Sequence, residues 1–223
     1  MNIRLNKLLF GICLVGFLSN IAAYNSVHLS QLKYTQQCKN CDLTEIKLID
    51  HFGGDNRLFD KIDVSESNLS KAILVLELND SNFISSNLNK ANFLSVCRNC
   101  NFTNANFEDL NTNLGTWSND IKYLDLDLSS SNFTNVNFKN AVLENFDFTN
   151  AQFAGANFAG ANLKLANFTD SDITFEQLQS AQEVCGLFLP NGKQITIISG
   201  NDGTLEICEG FLKTGEIFYK KVD

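Results

Sequence analysis

The chain has 223 residues, a formal net charge of -8 and only two histidines, His28 and His51. The acidic balance and the lack of a basic stripe argue against a nucleic-acid partner, and the length suits one elongated domain. No Gly-rich phosphate loop, His-Glu-x-x-His or serine elbow is present, so no catalytic residue, cofactor or metal ligand is assigned.

Residues 1–23 read as a signal peptide. Met1 to Lys7 carries Arg4 and Lys7 and no acid, and Leu8 to Leu18 is an apolar run too short to span a bilayer. Ile21-Ala22-Ala23 offers a small-residue site, so cleavage is expected between Ala23 and Tyr24, leaving no stable membrane span. Ile12 is too large to make Cys13 a good lipoprotein site. His28, just past the cleavage site, and His51 both read as solvated surface residues rather than general bases.

Apolar residues then recur at five-residue steps, interrupted by slips: Leu43 and Leu48; Leu69 and Leu74; Phe83, Leu88 and Phe93; Phe102 and Phe107. Two segments fit poorly. Residues 49–63 contain His51-Phe52-Gly53-Gly54 and read as an irregular coil or protruding loop. Residues 109–126 contain the only tryptophan, Trp117, and then Tyr123. Loops on rigid scaffolds often carry function, and Trp and Tyr are enriched at hot spots, so Trp117 and Tyr123 make a candidate partner-binding loop. The alternative is an insertion whose Trp117 folds back on the coil.

From Leu128 to Leu178 the period is unbroken, with centres at Leu128, Phe133, Phe138, Leu143, Phe148, Phe153, Phe158, Leu163, Phe168, Ile173 and Leu178. No heptad, helical stripe or plain β alternation gives this spacing. Two positions before the centre stand small residues such as Ala151, Ala156 and Ala161; directly before it stand amides and acids such as Asn132, Asn157 and Asp172. Two positions after it stand turn formers such as Asn135, Asn140, Gly155 and Gly160. Asn, Asp and Gly tolerate left-handed backbone, so each unit describes one bend of the chain.

With these residues the chain resembles the pentapeptide-repeat family, most closely in Ala151-Gln152-Phe153-Ala154-Gly155 and Ala156-Asn157-Phe158-Ala159-Gly160. The resemblance implies an all-β fold: a right-handed quadrilateral parallel β-helix over residues 24–180, about twenty residues to a coil, with centre and small residues inward. Burying each centre side chain contributes about 1.5–3 kcal/mol gross, largely offset by the entropy of ordering the chain.

Without Cys13, six cysteines remain, an even number that favours disulfides in an exported chain. In Cys38-Lys39-Asn40-Cys41 and Cys97-Arg98-Asn99-Cys100 the first cysteine falls at a centre and the second at the next small position, so all four sulfurs should face inward. On the implied coil the two pairs lie roughly 14 Å apart along the axis, too far for one zinc ion. Neither has the helix-start context of a redox pair, and local disulfides or free buried thiols both remain open.

Phe175 to Ala181 reads as a short helix or last turn. Val184 to Ile197 reads as two strands around a Pro190-Asn191-Gly192 turn, with further strands near Leu205–Cys208 and Ile217–Tyr219. Residues 181–223 are therefore expected to form a small C-terminal β cap, through which oligomers could also form. Similar endings in the family imply a Cys185–Cys208 bridge, closing a loop of about 22 residues and worth on the order of 3 kcal/mol.

The expected role is an exported, periplasmic or secreted, non-enzymatic scaffold that binds a protein or envelope partner. The alternative is mimicry of DNA toward a type II topoisomerase such as gyrase, as the family's cytosolic members practise; the net charge suits it and the signal peptide opposes it. An enzyme or metal protein is the third reading.

Overall fold

The computed structural model describes residues 25–49, 59, 61–112, 126–199, 206–211 and 217–221, with side chains as far as residue 195. Its body is a four-sided coil of parallel bridges. The coil forms because one residue in each unit turns the backbone. Ser130, Asn135, Asn140, Asn145 and Asn150 all stand in the left-handed region, at φ between 56° and 65°. An ordinary L-residue loses roughly 1–2 kcal/mol there, whereas asparagine visits it readily, which accounts for the composition of the corners.

Between corners the chain runs straight for a few residues and pairs with the coil above. Asn132 pairs with Gln152, Asn137 with Asn157, Val142 with Asn162 and Asp147 with Asn167, all in parallel. Each offset is twenty residues, so four five-residue sides close one coil.

The coils nearer the N-terminus are one residue shorter. Asp63 pairs with Asn82, Asn68 with Asn87 and Glu77 with Val96, at offsets of 19. Only three left-handed corners occur in each, as at Asp80, Ser85 and Lys90. On the fourth side the turning residue is missing. There β1 (Lys47–Ile49), β2 (Ile73–Val75) and β3 (Asn92–Phe93) form a short parallel sheet, and the centres are four residues apart, Leu74 to Leu78 and Phe93 to Cys97. The slips in the sequence are these four-residue sides. The described chain breaks on this side twice, after Ile49 of β1 and after Thr112, next to Asn111, which pairs with Asn92. The bridges Asn101 to Asn132 and Asn106 to Asn137 rejoin the coil across the second break.

The inside is one apolar stack. All eleven centres from Leu128 to Leu178 are buried, as are Leu43, Leu69, Leu74, Leu78, Phe83, Phe93 and Phe102. Phe83, Phe102, Phe133 and Phe153 lie face over face, with centroids 4.8, 5.0 and 5.3 Å apart. Neighbouring sides meet edge to face, as Phe133 and Phe148 do at 5.4 Å. Such pairs add about 0.5–1.5 kcal/mol beyond their burial.

Each end is closed by a short helix. At the start, α1 (Ser26–Thr35) is capped by Asn25, whose side chain accepts from the Val27 N–H, and it buries Leu32 against the first coil. At the far end, α2 (Phe175–Ser180) begins with a capping box between Thr174 and Gln177, in accord with the short helix expected there. Residues 183–189 add half a coil: Glu183 pairs with Asn162 and Phe188 with Asn167. Phe188 also pairs antiparallel with Gln194 across the Pro190-Asn191-Gly192 turn, so the first arm of the expected hairpin belongs to the solenoid as well. An antiparallel sheet follows, β4 (Thr196–Ser199), β5 (Glu206–Phe211) and β6 (Ile217–Lys221), in the order β4-β5-β6. Among the described residues no helix is long and apolar enough to cross a membrane.

Candidate interaction faces

With the centres and small residues turned inward, the surface is made of the three remaining positions of each unit. The residue before each centre fixes its own turn. Asn132, Asn137, Asp147, Asn157 and Asn167 each accept, through Oδ1, from the backbone N–H two residues on, at 2.9–3.2 Å. On one side the same residues also bond from coil to coil. Asn157 Nδ2 donates to Asn137 Oδ1, Asn137 to Asn106, Asn106 to Asn87 and Asn87 to Asn68, at 3.1–3.3 Å. Only an amide can accept from its own turn and donate to the coil below at once, which is why asparagine and not aspartate fills this ladder. Asn135 and Asn140 extend the same device to the corners, donating to Asn104 and Asp109 at 3.2 Å.

Charge is also paired from coil to coil. Lys39 meets Glu66 at 2.9 Å, Lys71 meets Glu45 at 3.1 Å and Lys139 meets Glu108 at 3.0 Å; Lys61 faces Asp80, and Arg98 bonds Asp127. The hydrogen bonds and charges of Glu66 and Glu108 raise Lys39 and Lys139 above the usual lysine range. Partial burial pushes the Asp127 carboxyl up, but hydrogen bonds from Ser129 and Arg98 outweigh it and hold the group below the usual carboxylate range.

The open backbone at each end is satisfied by side chains. At the first coil the Asp42 N–H donates to His28 Nδ1 at 2.8 Å, and the Asp42 carbonyl accepts from the Asn25 N–H at 3.1 Å. Thr35 and Gln31 serve Gln37 in the same way. His28 is therefore not the solvated residue expected from sequence: α1 presents its ring to an unpaired edge, and no local pattern announces that contact. At the other end Gln177 Nε2 donates to the Phe153 and Ala156 carbonyls, at 2.7 and 3.0 Å.

Cys38–Cys41 and Cys97–Cys100 are disulfides, with Cα atoms 5.5 and 5.6 Å apart, and all four residues are buried inside the coil. Cys185 is also disulfide-bonded; the side chain of Cys208 lies outside the described residues. So do Ala23 and Tyr24 at the expected cleavage site, His51, and Trp117 and Tyr123 of the candidate binding loop. Among the described residues no group of three or more His, Cys, Asp or Glu is placed to hold a metal ion.

Comparison with known proteins agrees with this geometry. Residues 127–174 match the pentapeptide-repeat family model in eight copies. No curated protein sequence matches the chain. Among solved structures it is similar to a trypsin-treated QnrB1, a plasmid-mediated fluoroquinolone resistance protein, at 14% identity and TM-score 0.52, over 71% of this chain and 74% of that one. It is also similar to a pentapeptide-repeat protein of the Arabidopsis thaliana thylakoid lumen, at 22% identity and TM-score 0.25, over 71% of this chain and 84% of that one. A third is HetL of the cyanobacterium Nostoc, at 20% identity and TM-score 0.21, over 75% of this chain and 96% of that one. The QnrB1 likeness shows the fold: the right-handed quadrilateral β-helix expected from the repeat.

Proposed function

The chain is a pentapeptide-repeat protein, and from that premise we propose that it is an exported, non-enzymatic bacterial scaffold whose rigid outer faces bind a protein or envelope partner. One observation carries the reading. The outward side chains are held in place before any partner arrives, by their own Asx turns and by the asparagine ladder from Asn68 to Asn157. A surface ordered in advance loses little entropy on binding, which is what a scaffold needs. The apolar side chains that fill the interior are committed to packing. Export is supported by the residue pattern of 1–23 and by two buried disulfides, which belong to oxidising compartments.

Topoisomerase binding by DNA mimicry is the second reading, favoured by the net charge of -8. Against it, five cross-coil ion pairs among the described residues neutralise acids on the faces, two of them, Lys71 with Glu45 and Lys139 with Glu108, beside the asparagine ladder. A C-terminal reporter active only outside the cytoplasm, together with crosslinking of the exported chain to one reproducible envelope partner, is the expected result. Cytoplasmic retention with inhibition of gyrase supercoiling would replace this reading by the second.

A further inference from the structure

At two corners of the solenoid, both bridged by disulfides, a serine of the coil above spans the open turn; at Ile62, which has no bridge, Ser81 takes the turn N–H alone, at 3.0 Å. At the ordinary corner Val64–Ser67 the Ser67 N–H donates to the Val64 carbonyl at 3.2 Å and closes the turn. Ser86, stacked one coil above Ser67, is buried, and its hydroxyl has no hydrogen-bond partner. One coil below Ser67 lies the Cys38–Cys41 disulfide. There the Cys41 N–H donates to Ser67 Oγ at 2.9 Å, and Ser67 Oγ donates to the Cys38 carbonyl at 2.6 Å. The serine takes the place of the turn's own hydrogen bond. The Cys97–Cys100 corner repeats the arrangement with Ser131, at 3.0 and 2.7 Å. On the ladder side, then, the serine above a disulfide corner has both partners and the serine above a closed corner has none.

We propose that each Cys-Xaa-Asn-Cys corner is a two-state turn, set by the oxidation of its cysteines and registered by the serine stacked on it. With the bridge, the corner stands open and the serine spans it. Without the bridge, the corner closes like Val64–Ser67, and the serine above loses both partners as Ser86 has. Closing a bridge removes two protons and two electrons from the dithiol; a disulfide oxidant takes the electrons by exchange through a mixed disulfide and leaves as two thiols. Because the cysteines are at most 4% exposed, exchange requires the coil to open. The corners thus keep the redox condition under which the chain folded. This behaviour goes beyond the scaffold role and stands or falls independently of export.

The test is a stability cycle on the full chain. Cys97→Leu with Cys100→Ala restores the ordinary grammar of a large centre and a small neighbour. In the disulfide-bonded chain, Ser131→Ala should lower the folding equilibrium constant roughly ten- to a hundredfold, because a buried N–H and carbonyl lose their partner. In the Leu/Ala background the same substitution should be neutral or favourable, as Ser86→Ala should be in the unsubstituted chain. An equal loss in both backgrounds would overturn the proposal. Should the Leu/Ala chain not fold, hydrogen exchange of oxidised Ser131→Ala decides instead. The residue 100 amide should exchange at least tenfold faster while the Phe102 amide, bonded to the Asn132 carbonyl, holds its rate. An unchanged residue 100 amide refutes the inference.

Discussion

Coils 126–174 and coils 61–112 share one apolar stack yet are wound differently. The former turn at four left-handed corners and repeat every twenty residues; the latter turn at three and repeat every 19. What replaces the missing corner is extended chain, with Ile73 and Val75 on β2 and Leu94 and Val96 beyond β3, where the other sides have a left-handed residue such as Asp80, Ser85 or Lys90. The period of a solenoid is therefore a count of its left-handed residues, and packing of the centres tolerates either count. The lower coils also hold the Cys97–Cys100 disulfide, and the coil before them holds Cys38–Cys41. Regularity belongs to the upper half, interruption to the lower.

Substitutions can break or sharpen that contrast. The largest effect should come from Phe133→Ala, whose ring lies between Phe102 of the lower coils and Phe153 of the upper ones. A loss of about 3–5 kcal/mol in denaturant titrations is expected, in one transition that melts both halves together. Next comes Gly160→Ala. Gly160 sits at φ 73°, and a Cβ there would lie 2.5 Å from Asn140 Oδ1. A cost of about 1–2 kcal/mol is expected at this four-cornered coil. Asn106→Ala removes a rung of the ladder and the acceptor of the Glu108 N–H. It should cost about 1 kcal/mol and speed exchange of the residue 108 amide.

Leu165→Asn should work the other way. Leu165 holds a left-handed corner at φ 59° with its side chain exposed, so asparagine should raise stability by about 0.5 kcal/mol. The smallest effect belongs to Asp127, the acid that bonds Arg98 across the join between the halves. Its folded pKa lies below the unfolded one, so its contribution is present above the ordinary carboxylate range and is lost as pH falls through the folded value. Asp127→Asn should cost less than about 0.5 kcal/mol at neutral pH and flatten the acid limb of a stability–pH curve.

The upper half was legible because its centres keep their place for eleven units, with a small residue before and a turn former after most of them. The lower half was legible only in part. The five-residue rule passes over Leu78, because it assumes a corner between each pair of centres. The run Ile73-Leu74-Val75-Leu76, which lacks a turn former two positions after the centre, is the signal that a corner is absent. The inward placement of the four cysteines followed from the grammar alone. The helix α1 and the contact of His28 with Asp42 did not, since an edge cap depends on a coil the helix does not resemble.

The central claim is that the two windings form one cooperative solenoid. The amides of Cys97, Phe102 and Phe107 bond directly to the carbonyls of Asp127, Asn132 and Asn137, each at 2.8 Å, and so join lower coils to upper. Native-state hydrogen exchange at these three amides is the direct test. Protection equal to that of Phe133 and Phe148, with a common opening free energy, is the predicted result. Rapid exchange at the three while Phe133 and Phe148 stay protected would contradict it.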